Sequence, residues 1–452
     1  MTTHAIVSVA HRFVPHRFAP HRLRLVAMVG LLVSCTPTPA LPTVTQSRAS
    51  PGPTISTAAP DSVEPAVATA SPTSTASAPR QAVPSASGSL VPSTATATDT
   101  PFVRVGDFPA DGDWIAAIAT GDPGFVAVGA SQVVHPGPGT PCRGDYDGRI
   151  WTSPDGKLWT RQPVDLDKVP LSHVIEFDGL LYAFGRPGDA CDVRGGYGYS
   201  VWRSADGMNW SLGAEEVGAP YGAIFDVVAT ESRVIALGWD SGRFAQAWLS
   251  LDGSSWSVPE VPPTGASRGA ALGETVIAWR SSDQKVAGLH IDVSHDAGAT
   301  WEQVFVDLSL DATYDFYPHF AVSHGTLAVM ARTCCVSGVA VSIPITTSDG
   351  RAWSVGDTLA SPSDELLGLP SGFVSFSRDD GRTLVSSDGL SWFDGPVLPP
   401  SDGGAFALVA GGAPGVVVVP NAAGRRDRWV HVAPSQMFDP AEWTNPARVL
   451  ST

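Results

Sequence analysis

One pattern returns six times along this 452-residue chain: a hydroxyl side chain, a gap, Asp, Gly and then Trp. The copies are Ser153, Asp155, Gly156, Trp159; Ser204, Asp206, Gly207, Trp210; Ser250, Asp252, Gly253, Trp256; Ser294, Asp296, Gly298, Trp301; Thr347, Asp349, Gly350, Trp353; and Ser386, Asp388, Gly389, Trp392. Successive tryptophans lie 51, 46, 45, 52 and 39 residues apart, a spacing that fits one four-stranded propeller blade per repeat. Asp and hydroxyl side chains hydrogen-bond nearby backbone amides, and Gly supplies positive φ, so each copy reads as a tight turn between two strands. Six equivalent copies on six hairpins cannot all be one active site, so these aspartates are structural. Trp151, Trp202 and Trp248 each stand eight residues before the turn tryptophan, which predicts paired aromatics on the two strands of each hairpin.

Strand-like segments precede the turns at regular intervals: 114–119 and 124–129, 173–177 and 180–185, 224–229 and 233–238, then 270–279, 320–331 and 366–376. Strand-turn-strand repetition with no helical period argues an all-β chain. A seventh unit, 405–420 with 428–432, has lost the motif. The reading is a single seven-bladed β-propeller over residues 101–452, with six and eight blades as the neighbouring counts. Two segments compete to complete the last blade: 102–108, which would close the ring and remove two sheet edges, and 442–450.

The repeated turn resembles the Asp-box, or bacterial neuraminidase repeat, whose full form S-x-D-x-G-x-T-W is matched by Ser294 to Trp301; the other copies are one residue shorter. Propellers of that kind include sialidases, two-domain xyloglucanases, sortilin-type receptors and photosystem assembly factors. The resemblance covers about three quarters of the chain and implies a propeller with its boxes on the outer hairpins, away from the ligand-binding face. It says little about function, because one fold hosts many.

The N-terminus sets an address. Arg12, Arg17, Arg22 and Arg24 precede the apolar run 25–33, and no acidic residue comes before Cys35. This is the form of a bacterial export signal, and the run is shorter than the roughly 20 residues that span a bilayer. Leu32-Val33-Ser34-Cys35 resembles the lipobox of bacterial lipoproteins, which implies cleavage after residue 34 and acylation of Cys35. Residues 35–100 are almost entirely Pro, Thr, Ser and Ala without an aromatic residue, so they build no core and read as a disordered, semi-stiff tether.

The chain carries 28 basic and 44 acidic residues; without residues 1–34 the net charge is −20. Nucleic acid is therefore a poor partner. The expected partner is a protein or glycan at the cell surface, with the membrane engaged only through the lipid anchor and the head a monomer. No motif calls for a cofactor.

Cys142 and Cys191 fall in equivalent long loops between the second and third strands of neighbouring blades, which suits a disulfide in an exported protein. Cys334 and Cys335, in the corresponding loop of the fifth blade, leave a vicinal disulfide and a thiol pair both open. In propellers of this type those loops flank the channel mouth on the face opposite the boxes. The candidate binding residues there are Arg143, Asp145, Tyr146 and Asp147 in the first blade and Asp192, Arg194, Tyr197 and Tyr199 in the second, with Tyr197 and Tyr199 as contact residues. Asp145 and Asp147 alternate as calcium ligands do, but no full loop pattern follows, so no metal is assigned.

Two functions compete. A sialidase-like glycosidase would need three arginines, a Tyr-Glu nucleophile pair and an acidic residue converging on the channel mouth. The Arg-Ile-Pro marker of that family is absent, and the nearest string is Gly148-Arg149-Ile150-Trp151. A tethered, non-catalytic binding or assembly module needs no such constellation, and is the favoured reading.

Overall fold

The computed structural model describes residues from Val103 to Trp443, apart from 107–112, 134–144, 188–197, 219–221, 266, 280–287, 309, 311–315, 334–339, 361–362, 378–380, 399–405, 413–414, 421–428 and 434. The export signal, Cys35 and the tether therefore lie outside the described residues. Described helix is confined to a 3-10 turn at Ser435–Phe438 and the four residues Pro440–Trp443. All else regular is antiparallel strand, in seven sheets.

Each sheet is one blade. The innermost strands, in chain order, are Asp113–Gly121, Leu171–Phe177, Ala223–Ala229, Arg268–Leu272, Phe316–Ser323, Glu365–Leu369 and Phe406–Gly412. Six sheets have four strands; the third has three, its edge extended by a bridge between Leu249 and Ser257. Val103–Gly106 supplies the missing strand of blade 7, with Val103 opposite Val432 and Gly106 opposite Trp429. The ring is thus closed by the N-terminal segment, which forms the outermost strand of blade 7.

The central part of each blade's second strand is largely apolar because it is covered on both faces. Leu327 to Ala331, for instance, are all at most 1% exposed. The described core falls into seven clusters, and each fills the seam between two neighbouring blades. Burial of each large aliphatic side chain in such a seam contributes about 1.5–3 kcal/mol.

The repeated turns join the third strand to the outermost strand, as the sequence predicts. In the second copy, Asp206 accepts hydrogen bonds from the amides of Met208 (2.9 Å) and Asn209 (2.7 Å), and Ser204 Oγ accepts from Gly207 (2.9 Å). Trp210 Nε1 closes the turn on the Gly207 carbonyl at 2.8 Å. All six tryptophans make that last bond.

Their rings have a second role that the spacing does not reveal. Trp159 packs into the seam between blades 1 and 7, Trp210 into that between 2 and 1, and Trp256 into that between 3 and 2. Trp301, Trp353 and Trp392 continue the series. Every motif fastens its blade to the preceding one. Blade 7 lacks the motif, and there Phe438 and Met437 from the 3-10 turn fill the seam with blade 6 instead. The expected pairing of aromatics across each hairpin takes a different form: Trp151 faces Arg161 and Trp202 faces Leu212, while the turn tryptophans join them only as members of one seam cluster.

Candidate functional site

A propeller's inner strands line its central channel, and here they carry an arrangement that begins with register. Four residues before the last paired residue of each inner strand stand Ala117, His173, Asp226, Arg268, His319, Glu365 and Leu408. Each faces an apolar residue of the second strand: Val128, Phe184, Leu237, Trp279, Met330, Phe376 and Val419. Blades 2 to 6 thus place one ionisable residue each at the same depth of the ring. In blades 1, 2, 3 and 7 a β-bulge immediately precedes this position. Such bulges re-aim the following side chain. The bulge of blade 3 brings the Ala223 carbonyl so close to Gly238 that a Cβ there would stand 1.8 Å from its oxygen.

These side chains bind across the seams. Asp226, 1% exposed, accepts hydrogen bonds from the amide of Gly269 in blade 4 at 2.8 Å and from its own neighbour Val227 at 2.9 Å. Burial pushes its carboxyl up to about 7, against the opposing pull of the Gly269 amide, the Arg268 charge and the Val227 amide. Arg268 donates from Nη1 to His319 Nδ1 at 2.9 Å and to the Pro318 carbonyl at 3.5 Å, both in blade 5. His319 Nδ1 lies 3.7 Å from Glu365 Oε2 of blade 6. Arg332, on the second strand of blade 5, is ion-paired with Asp364. In blade 2, His173 Nδ1 meets Ser172 Oγ at 2.8 Å.

His173, Asp226, Arg268 and His319 were not singled out from the sequence. A signal was there: an ionisable side chain in a mainly apolar inner strand, at constant distance before the hairpin, in five consecutive repeats. It emerges only once each hairpin's closing pair is fixed, because blade 3 closes its turn at Thr230 and Arg233, one pair beyond the assigned strands.

The residues expected at the site are scattered. Cys142, Arg143, Cys191, Asp192, Arg194, Tyr197, Cys334 and Cys335 lie outside the described residues. Asp145 opens the third strand of blade 1 opposite Val133. Tyr146 stacks edge-on against Trp114 with ring centroids 4.7 Å apart. Asp147 pairs with Arg149 at 3.1 Å and accepts the Lys168 amide at 3.3 Å. Burial raises its carboxyl, but those two partners outweigh it and hold the group below the ordinary range. Tyr199, expected as a contact residue, is buried in the seam between blades 2 and 3, its hydroxyl 3.4 Å from the Ile224 carbonyl. Burial pushes that phenol up. Among the described residues no group of three or more His, Cys, Asp or Glu side chains could hold a metal ion.

The six motif aspartates are engaged in their own turns. Backbone amides hold Asp155, Asp206, Asp252 and Asp349 below the ordinary carboxylate range. Asp296 and Asp388 feel burial first, in the opposite direction, and their turn hydrogen bonds outweigh it. A general acid at neutral pH needs the opposite shift.

No family model matches this sequence, and no curated protein does. Among solved structures, the chain is similar to an ulvan lyase of polysaccharide lyase family PL25 bound to -[GlcA(1-4)Rha3S]-, at 11% identity over 69% of this chain and 90% of that one, with a TM-score of 0.42. It is also similar to the β-propeller domain of the Trilobed protease from Pyrococcus furiosus, at 9% identity over 71% and 95% with a TM-score of 0.43. A third is the six-bladed, fucose-recognising lectin of Aleuria aurantia, at 12% identity over 56% and 80% with a TM-score of 0.34. At such identities nothing about activity follows from these likenesses.

Proposed function

We propose that this chain is an extracytoplasmic Asp-box propeller, anchored to a bacterial membrane through acylated Cys35 and lifted from it by the 35–100 tether, that binds a protein or glycan partner without turning it over. The observation that carries this reading is the engagement of its acidic side chains. The motif aspartates serve turns, Asp226 holds the blade 3 to blade 4 seam, Asp364 pairs with Arg332, and Asp147 pairs with Arg149. The alternative glycosidase needs arginines available for a substrate carboxylate. Of those near the inner strands, Arg268 is bound to His319 and Arg332 to Asp364.

Binding is assigned to segments 134–144 and 188–197, each of which connects the second and third strands of its blade, whereas the motif turn connects the third strand to the outermost one. Long loops on a rigid ring can present side chains at low entropic cost when a disulfide such as Cys142 to Cys191 joins them. The test is capture of glycans on an array and of partners from the cell surface by the full-length chain, compared with a variant in which both loops are replaced by Gly-Ser segments of equal length. Specific capture lost in the loop variant, at unchanged Tm, supports the reading. Capture that survives loop replacement places the interface elsewhere and overturns this assignment.

A further inference from the structure

Eight Asp-Gly pairs lie among the described residues, and five of them are motif turns. In seven of the eight the glycine amide has an acceptor. Gly207, Gly253, Gly350 and Gly389 donate to their motif hydroxyls at 2.8–2.9 Å, Gly148 and Gly395 to the Leu166 and Thr383 carbonyls at 2.9 Å, and Gly179 to Glu176 at 2.8 Å. The exception is Gly156 of the first motif, whose amide meets no acceptor among the described residues. Ser153 Oγ, its counterpart hydroxyl, is buried there without a hydrogen bond.

The missing serine contact leaves two groups unclamped. In the other four Asp-Gly motifs the hydroxyl also donates to the Asp carboxylate, at 3.0 Å from Ser204 and Ser386 and at 3.3 Å from Ser250 and Thr347. At Asp155 the carboxylate is held only by the amides of Lys157 (2.9 Å) and Leu158 (3.3 Å). This copy alone has proline after the hydroxyl residue, and Pro154 confines the backbone of Ser153. Glycine, with no Cβ, lets a neighbouring carboxyl group approach its nitrogen.

We infer that Asp155 is a site of spontaneous isomerisation, the one described Asp-Gly pair of this propeller left open to succinimide formation. The Gly156 nitrogen bonds to Asp155 Cγ; its proton and the hydroxyl of the protonated carboxyl group leave together as water. A water molecule then opens the imide at the former main-chain carbonyl of Asp155 and breaks that carbon's bond to nitrogen. The chain now runs through the side chain of residue 155, with its mass unchanged and its main chain longer by one carbon. Gly156 is seated on blade 7, where a Cβ would stand 2.7 Å from Val417 and 3.3 Å from Val432, and Val432 pairs with Val103 to close the ring. Its carbonyl accepts Trp159 Nε1 at 2.7 Å, in the same seam. Lengthening the turn there displaces it from the seam that closes the propeller.

The experiment is incubation of the purified full-length chain in warm, mildly acidic buffer, then proteolysis and electron-transfer fragmentation, which separates the two linkages at equal mass. Isoaspartate is expected at residue 155 about fivefold or more ahead of residues 206, 252, 349 and 388, the factor that one ordinary hydrogen bond corresponds to. Ser204→Ala and Ser250→Ala, each removing the clamp of its own motif, should raise the rates at Asp206 and Asp252. Tm should fall as isoaspartate accumulates at 155, and a Tm that stays put would overturn the effect on the seam. Equal accumulation at all five aspartates, or none at 155, would overturn the inference, as would an unchanged rate at the unclamped aspartate in either folded variant.

Discussion

Gly253 of the third motif lies against the ring of Tyr182 in blade 2: a Cβ on Gly253 would stand 2.0 Å from Tyr182 Cε1. The Tyr182 hydroxyl reaches the Asp252 carbonyl at 3.3 Å, so the motif turn of one blade is seated on a buried aromatic of the blade before it. The motif is thus a fastener between blades as much as a turn within one.

Gly253→Ala should therefore be far more costly than a glycine change in an open turn. Positive φ (70°) and collision with Tyr182 together cost about 2–4 kcal/mol. Gly179→Ala is the control, with φ at 72° and no atom within 4 Å of the added Cβ. It should cost only about 1–2 kcal/mol. Denaturant midpoints of the two variants measure the difference; equal losses would mean that the seating on Tyr182 contributes nothing.

Phe438 substitutes for the tryptophan that blade 7 lacks. It is 1% exposed and its ring centroid lies 6.0 Å from that of Phe376 in blade 6. Phe438→Ala should destabilise the propeller by about 3–5 kcal/mol. A change below about 1 kcal/mol in chemical denaturation would show that the seam closes without it.

Asp226 makes stability depend on pH with a definite sign. Its folded value, about 7, lies above the ordinary 3.8, so the unfolded chain loses this proton first as pH rises. Stability from this group is greatest below pH 4, declines between about 4 and 7 by up to roughly 1.4 kcal/mol per pH unit, and is level above 7. Asp226→Asn should flatten that decline. An identical pH profile in the variant would remove Asp226 as its source.

Much of the architecture was legible because it repeats. The six turns announced their blades, and the segment before the first blade was one of two candidates for closing the ring; the pairing of Val103 with Val432 selects it. What could not be read is what depends on contacts between repeats. Tyr199 looked like a loop residue because its neighbours are glycines and polar groups, yet it starts a strand whose face is covered by blade 3. Phe438 follows the last strand in a stretch without periodicity, so nothing local marks it as a seam residue. The ionisable ring at His173, Asp226, Arg268, His319 and Glu365 depends on a common register across five hairpins, visible only once the closing pair of each is known.

The anchor has a simple test. Cys35→Ser should abolish acylation and shift the chain from the membrane fraction to the soluble one. Retention with membranes after a high-salt wash would contradict lipid anchoring.

The claim that the head binds but does not hydrolyse is tested most directly by turnover of fluorogenic sialosides and aryl glycosides by the purified full-length chain, from acid to neutral pH. The account predicts rates indistinguishable from buffer for wild type and for Glu365→Gln alike. Robust turnover that disappears in Glu365→Gln, with its Tm unchanged, would contradict it.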